Sequence, residues 1–172
     1  MDEPPKEMID VARLAAIQSP CAKSKRGVVA YRDWGDRGPE WKRFHQLSAA
    51  FNGPPGSIEC LGSDDCRRDC AKRCVHAEVR ALRGILDRDK FHASDVHIVL
   101  LHVKVVEGDV VAGGGPGCWQ CSREILDAGF IHGIWLFQTG LSVTSRHGQP
   151  DRWRYWEALD FHRETCAALG IP

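Results

Sequence analysis

Apolar residues return at helical spacing over residues 5–18, where Ile9, Val11, Ala12, Leu14, Ala15 and Ile17 draw a mostly apolar stripe. Ser19-Pro20-Cys21 ends it, because the residue before a proline resists helical geometry. The run Gly27–Tyr31 (GVVAY) predicts a short strand, residues 33–40 a Gly- and Asp-rich turn, and Trp41–Phe51 a second strand that closes a hairpin. Asn52-Gly-Pro-Pro-Gly56 breaks that strand, and a loop with Cys60 and Cys66 follows. A helix is predicted from near Cys74 through Ala77, Val79, Leu82 and Ile85. The stretch from Val96 to Val106 (VHIVLLHVKVV) is the strongest strand, apolar enough to be central. Residues 107–117 form a Gly-rich connection, 118–128 a helix with Trp119, Ile125 and Leu126 inside, 131–137 a strand, and 152–169 an amphipathic helix.

The order α-β-β-α-β-α-β-α predicts an α/β protein: an α/β/α sandwich on one mixed central sheet of about five strands flanked by helices. We read 1–172 as one domain, with a cysteine-rich insertion at 58–75 and a C-terminal segment at 142–172 of unassigned role. Trp153, Tyr155, Trp156 and Phe161 of that segment suit a core, an interface or a cover over a site.

Charge changes the picture mainly by exclusion. The formal net charge is zero, so the basic surplus of a nucleic-acid binder is missing and such a partner is not favoured. Clusters such as Lys23-Ser24-Lys25-Arg26 still leave room for a local phosphate site, or are simply solvated turns. No run approaches the roughly 18 apolar residues of a membrane span, and MDEPPKEMID lacks the basic and apolar regions of a signal peptide. A cytoplasmic location is expected, and eight cysteines in a reducing compartment point to metal binding or catalysis rather than disulfides.

The chemistry gathers in two short motifs, His76-Ala77-Glu78 and Cys118-Trp119-Gln120-Cys121, each at the start of a predicted helix. Helix N-termini present unpaired N–H groups and a positive dipole end, which favour thiolates and hydroxide. One His and a C-x-x-C pair make three ligands for tetrahedral zinc and leave the fourth position open for water, the mark of a catalytic site. Zinc lowers the pKa of such a water to about 7, and Glu78, two residues past the His, is placed to shuttle protons. This is the H-x-E…P-C-x-x-C pattern of zinc deaminases, with Gly117 inserted between Pro116 and Cys118.

On these motifs the chain resembles the cytidine and deoxycytidylate deaminase superfamily, and looks closest to the deoxycytidylate deaminases, over most of residues 8–138. Arg26-Gly-Val-Val is similar to that family's first strand with its basic loop, Phe51-Asn-Gly-Pro-Pro55 to its Y-N-G-x-P loop, and Ser122–Gly129 to its third helix and following turn. The resemblance implies a cytidine-deaminase-like fold and hydrolytic deamination of dCMP to dUMP. It also implies catalytic zinc on His76, Cys118 and Cys121, zinc hydroxide attacking C4, and Glu78 moving the protons. Asn52, Ala77, Arg26 and Lys25 are the substrate contacts it suggests, and a homo-oligomer is its usual assembly. Arg80 stands where the family commonly has Asn, either as added charge at the pocket entrance or as a solvated side chain.

Cys60, Cys66, Cys70 and Cys74 are spaced C-x5-C-x3-C-x3-C, close enough for a second, structural zinc or to be buried thiols. If Cys74 and His76 share a helix they project about 200° apart, which separates the two sites. Cys21 and Cys166 read as small buried residues. Gly113-Gly114-Gly115 has no lysine after it and is no phosphate cradle. Two other readings stand beside the leading one. The chain is a deaminase of another aminated base, as nucleoside, modified nucleotide or single strand, or else a zinc-stabilised binding module without catalysis.

Overall fold

The computed structural model describes residues 3–35, 43–56, 60, 62–64, 74–86, 97–113, 118–140 and 149–171. In chain order these form α1 (Lys6–Ile17), β1 (Lys25–Asp33), β2 (Phe44–Phe51), α2 (Ala77–Leu86), β3 (His97–Val106) and β4 (Asp109–Val111). They continue with α3 (Trp119–Ala128), β5 (Ile131–Gly140), β6 (Gln149–Glu157) and α4 (Ala158–Leu169). The strands make one mixed sheet in the order β2-β1-β3-β5-β6, with β4 paired to the end of β3. Only β3 and β5 run parallel among these pairs, and α3 lies on the crossover between them.

The pleat of β1 and β3 divides the core. Val28, Ala30, Ile98 and Leu100 face one side, where residues of α2, α3 and α4 such as Ala81, Ile85, Ile125 and Phe161 complete a cluster. Val29, Tyr31, Val99, Leu101 and Val103 face the other, under Met8, Ala12 and Ala16 of α1. A sheet between three helices and one helix is the sandwich the sequence predicts. The double burial of β3 explains its nearly unbroken apolar run. Gly27 lets α1 lie directly on β1: a Cβ there would collide with the Ala12 carbonyl oxygen and the backbone of Ala16. No helix of the described residues is long and apolar enough to cross a membrane.

The structure corrects the sequence reading at three places. Residues 149–157 are a strand, not the first turns of a helix. Trp153 and Tyr155 alternate with Arg152, Arg154 and Trp156, and their rings pack on Phe137 and Trp135 across the antiparallel pair. The six residues RWRYWE fit a helical stripe or an alternating strand, and the cross-strand aromatics decide for the strand. Second, the Gly-rich connection holds β4, reached through a two-residue turn at Glu107 and Gly108, both at positive φ. Third, α2 starts at Ala77, not near Cys74: Val75 makes a bridge with Gly53 and the chain through Cys74–His76 precedes the helix.

Candidate metal centre and active site

Two helix starts bring the motifs together. His76 directly precedes α2, and its carbonyl accepts the Arg80 N–H at 3.2 Å. Cys118 is the N-cap of α3, with its sulfur accepting the Cys121 N–H at 3.3 Å. The Cys118 and Cys121 sulfurs lie 2.8 Å apart, and His76 Nδ1 lies 3.1 Å from the first and 3.0 Å from the second. Two thiols and an imidazole nitrogen within 4.8 Å of one another are a donor set that suits zinc and leaves a fourth position. Hydrogen bonding with Cys121, reinforced by His76, lowers the Cys118 thiol to about 5 against the opposing effect of burial. The same sulfur–sulfur bond, burial and the nearby Glu78 carboxylate push Cys121 up. His76 is raised by its bond to Cys118, which outweighs its own burial.

Glu78, in the first turn of α2, is only 6% exposed. Burial alone would raise its pKa. His102 outweighs that by electrostatic attraction and by a hydrogen bond of 2.9 Å from Nδ1 to Oε1, holding the carboxyl at about 2. The other oxygen, Oε2, lies 3.9 Å from the Cys121 sulfur and so is turned to the ligand group. His102 belongs to β3 and follows Ile98 and Leu100 on the face under α2. Sequence reasoning missed it, although the signal was present. One imidazole on the apolar face of a strand buried on both sides needs a polar partner, and Glu78 supplies it.

Arg26 enters the same corner: its Nη1 lies 3.4 Å from His102 Nε2. Lys25, also expected at the substrate, sends its ammonium to the Ile17 carbonyl at 3.2 Å. Asn52 is buried, and its side-chain oxygen accepts from the Arg26 N–H at 2.8 Å and from the Ser19 hydroxyl at 2.9 Å. Its amide nitrogen donates to the Ser24 carbonyl at 2.8 Å. Asn52 thus ties down the loop between α1 and β1 beside the expected pocket. Arg80 donates to the carbonyls of Gly53 and Pro54 at 3.1 and 2.6 Å and lies over the Phe51 ring. It clamps the Asn52 loop to α2, a role the sequence reading did not consider. Ala77 is the buried first residue of α2 and packs into the core cluster.

The second cysteine set falls partly outside the described residues. Cys66 and Cys70 lie outside them. The Cys60 sulfur accepts the Ala22 N–H at 3.4 Å, and Cys74 is buried. Cys74 is not part of the His76 ligand group. The helical projection offered for that separation does not apply, because both residues precede α2. Cys21 is buried as expected, whereas Cys166 is half-buried, 3.7 Å from His162 Nε2. The other ring nitrogen of His162 lies 3.0 Å from the Ser122 hydroxyl, joining α4 to the helix that carries Cys121.

No protein-family model and no curated protein matches the chain. Among solved structures it is similar to a cytidine deaminase from Burkholderia pseudomallei, with a TM-score of 0.50 and 15% identity, over 92% of this chain and 96% of that one. The fold is therefore cytidine-deaminase-like.

Proposed function

We propose that the chain is a zinc-dependent hydrolytic deaminase of a deoxycytidine nucleotide, dCMP being converted to dUMP with release of ammonia. The observation that carries the reading is the convergence of the His76, Cys118 and Cys121 donors beside a buried carboxylate with one oxygen turned toward them. His76, Cys118 and Cys121 would hold the zinc, which when bound supplies a water acidic enough to be a nucleophile near neutral pH. Glu78, ionised at neutral pH, would accept a proton from the nucleophile at Oε2. It would deliver that proton to N3 of the ring and then pass the proton of the C4 hydroxyl to the amine, so the C4–N bond breaks, C4=O forms and ammonia leaves. Asn52, Ala77, Arg26 and Lys25 form the proposed substrate side. A homo-oligomer in the cytoplasm, and a structural zinc on Cys60, Cys66, Cys70 and Cys74, complete the proposal from resemblance and composition.

A second reading concerns the phosphate. The Lys25 ammonium reaches the Ile17 carbonyl and the Arg26 guanidinium reaches toward His102, so each cation has a contact within the chain that competes with a monophosphate. That favours the nucleoside deoxycytidine, and the neighbour in fold is itself described as a cytidine deaminase. Ammonia release from zinc-loaded protein separates the readings across dCMP, CMP, deoxycytidine, cytidine, the adenine and guanine counterparts and short single strands. Preferred turnover of dCMP is the expected result, and preferred turnover of deoxycytidine selects the second reading. Zinc-replete protein that releases no ammonia from any of them overturns both and leaves a non-catalytic zinc module.

A further inference from the structure

His102 occupies a position that packing alone would fill with an aliphatic side chain. Its neighbours across the sheet are Val28 on β1 and Leu136 on β5, and it follows Leu100 along the same face of β3. It is 9% exposed, its Nδ1 lies 2.9 Å from Glu78 Oε1, and its other ring nitrogen faces Arg26. A guanidinium offers only N–H groups. A hydrogen bond from it to Nε2 would use the Nε2 lone pair and leave the proton on Nδ1, as a donor toward the carboxylate. A carboxylate pinned at one oxygen has its plane and its second oxygen fixed. That second oxygen is the one 3.9 Å from the Cys121 sulfur.

We infer that His102 is a positioning residue for the proposed deamination, holding Oε1 of Glu78 so that Oε2 stays aimed at the metal ligands, with Arg26 setting the imidazole tautomer. The inference rests on the deaminase reading, and no substrate atom need touch His102. It makes β3 part of the machinery: the central strand fixes the carboxylate from below while α2 carries it. A displaced general base costs rate more than affinity.

Two substitutions and one spectrum test this. His102→Leu suits the apolar surroundings and removes the donor, whereas His102→Asn keeps an N–H close to the place of Nδ1. The Leu variant is expected to lose about 10–100-fold in kcat with KM moved by less than about threefold, zinc content intact and an unaltered circular-dichroism spectrum. The Asn variant is expected to recover at least about tenfold of a hundredfold loss. In the metal-free native protein, nitrogen NMR of His102 is expected to show the proton on Nδ1 and an unprotonated Nε2. Turnover by the Leu variant equal to native overturns the positioning role while leaving the deaminase reading standing. So does an Asn variant as impaired as the Leu variant, or a proton on Nε2. Native zinc-loaded protein that deaminates nothing overturns the deaminase reading and with it the catalytic use of the contact, while the tautomer, read without metal or substrate, still shows whether the contact exists.

Discussion

The side of the candidate site that could hold a metal and its proposed substrate side are built differently. His76, Glu78, Cys118 and Cys121 sit at or just before two helix starts, and short-range spacing delivers their atoms: three donors lie within 4.8 Å, and Glu78 is two residues from one of them. Lys25, Arg26 and Asn52 come from loops and strand ends, and their polar atoms are spent largely on one another and on the backbone. The first group is held by the architecture and is the one to which the proposal gives the chemistry. The second group is what holds its own corner of the architecture, so a substitution there reads out as stability before it reads out as catalysis.

The largest expected effect breaks the first side. Glu78→Gln keeps the size of the side chain but cannot take a proton, and should lose on the order of 10²–10⁴-fold in turnover while retaining zinc. Ammonia release and metal analysis on the same sample measure both, and substantial remaining activity removes Glu78 from its role. Cys121→Ala takes away one of three donors and should abolish metal binding at this site. Because the core under α2 and α3 is formed by Ile85, Ile125, Leu100 and Phe161, it should leave the fold standing. If the cysteine-rich segment holds its own ion, metal analysis of that variant falls from two zincs per chain to one. A fall from one to none removes the second site.

How much of this was legible follows from the range of the interactions. The C-x-x-C spacing puts Cys118 at an N-cap and Cys121 one turn on, a relation local enough to read from four letters. The apolar run of β3 announced a central strand for the same reason: its burial on both faces is written in consecutive residues. His102 was not legible as a partner because Glu78 approaches it from another element, 24 positions earlier. Residues 152–157 were misread because their alternation becomes meaningful only once Trp135 and Phe137 are known to lie opposite. Asn52 carried a family role in the sequence, while its three side-chain bonds reach partners 26 to 33 positions away.

The substrate side is sharpened by Asn52. Asn52→Ala leaves the Arg26 N–H and the Ser24 carbonyl without their partner, and should cost about 2–3 kcal/mol in a denaturant melt. Asn52→Asp separates the two ends of the amide. It keeps an acceptor for Arg26 and Ser19 but sets a carboxylate oxygen against the Ser24 carbonyl, so it should recover little of the loss. If instead either variant melts like the native protein and changes only KM, Asn52 belongs with the ligand side, as a residue free for substrate.

Arg80 gives the smallest effect and the finest distinction. Its guanidinium serves two carbonyls, Gly53 and Pro54, and covers the Phe51 ring, so it acts on the Asn52 loop and not on the metal ligands. Arg80→Met keeps much of the apolar stem and loses both hydrogen bonds. It should cost about 1 kcal/mol of stability, since the freed carbonyls are near a loop that water can reach. A loosened loop presents the substrate corner less often in its binding form, which raises KM, whereas the carboxylate remains fixed from β3 and kcat should stay within about twofold. Arg80→Lys should fall between, because an ammonium replaces a fork that reaches two acceptors at once. A kcat loss as large as that expected of His102→Leu would show that the two sides of the site are mechanically joined, and the division drawn between them would fail at that residue.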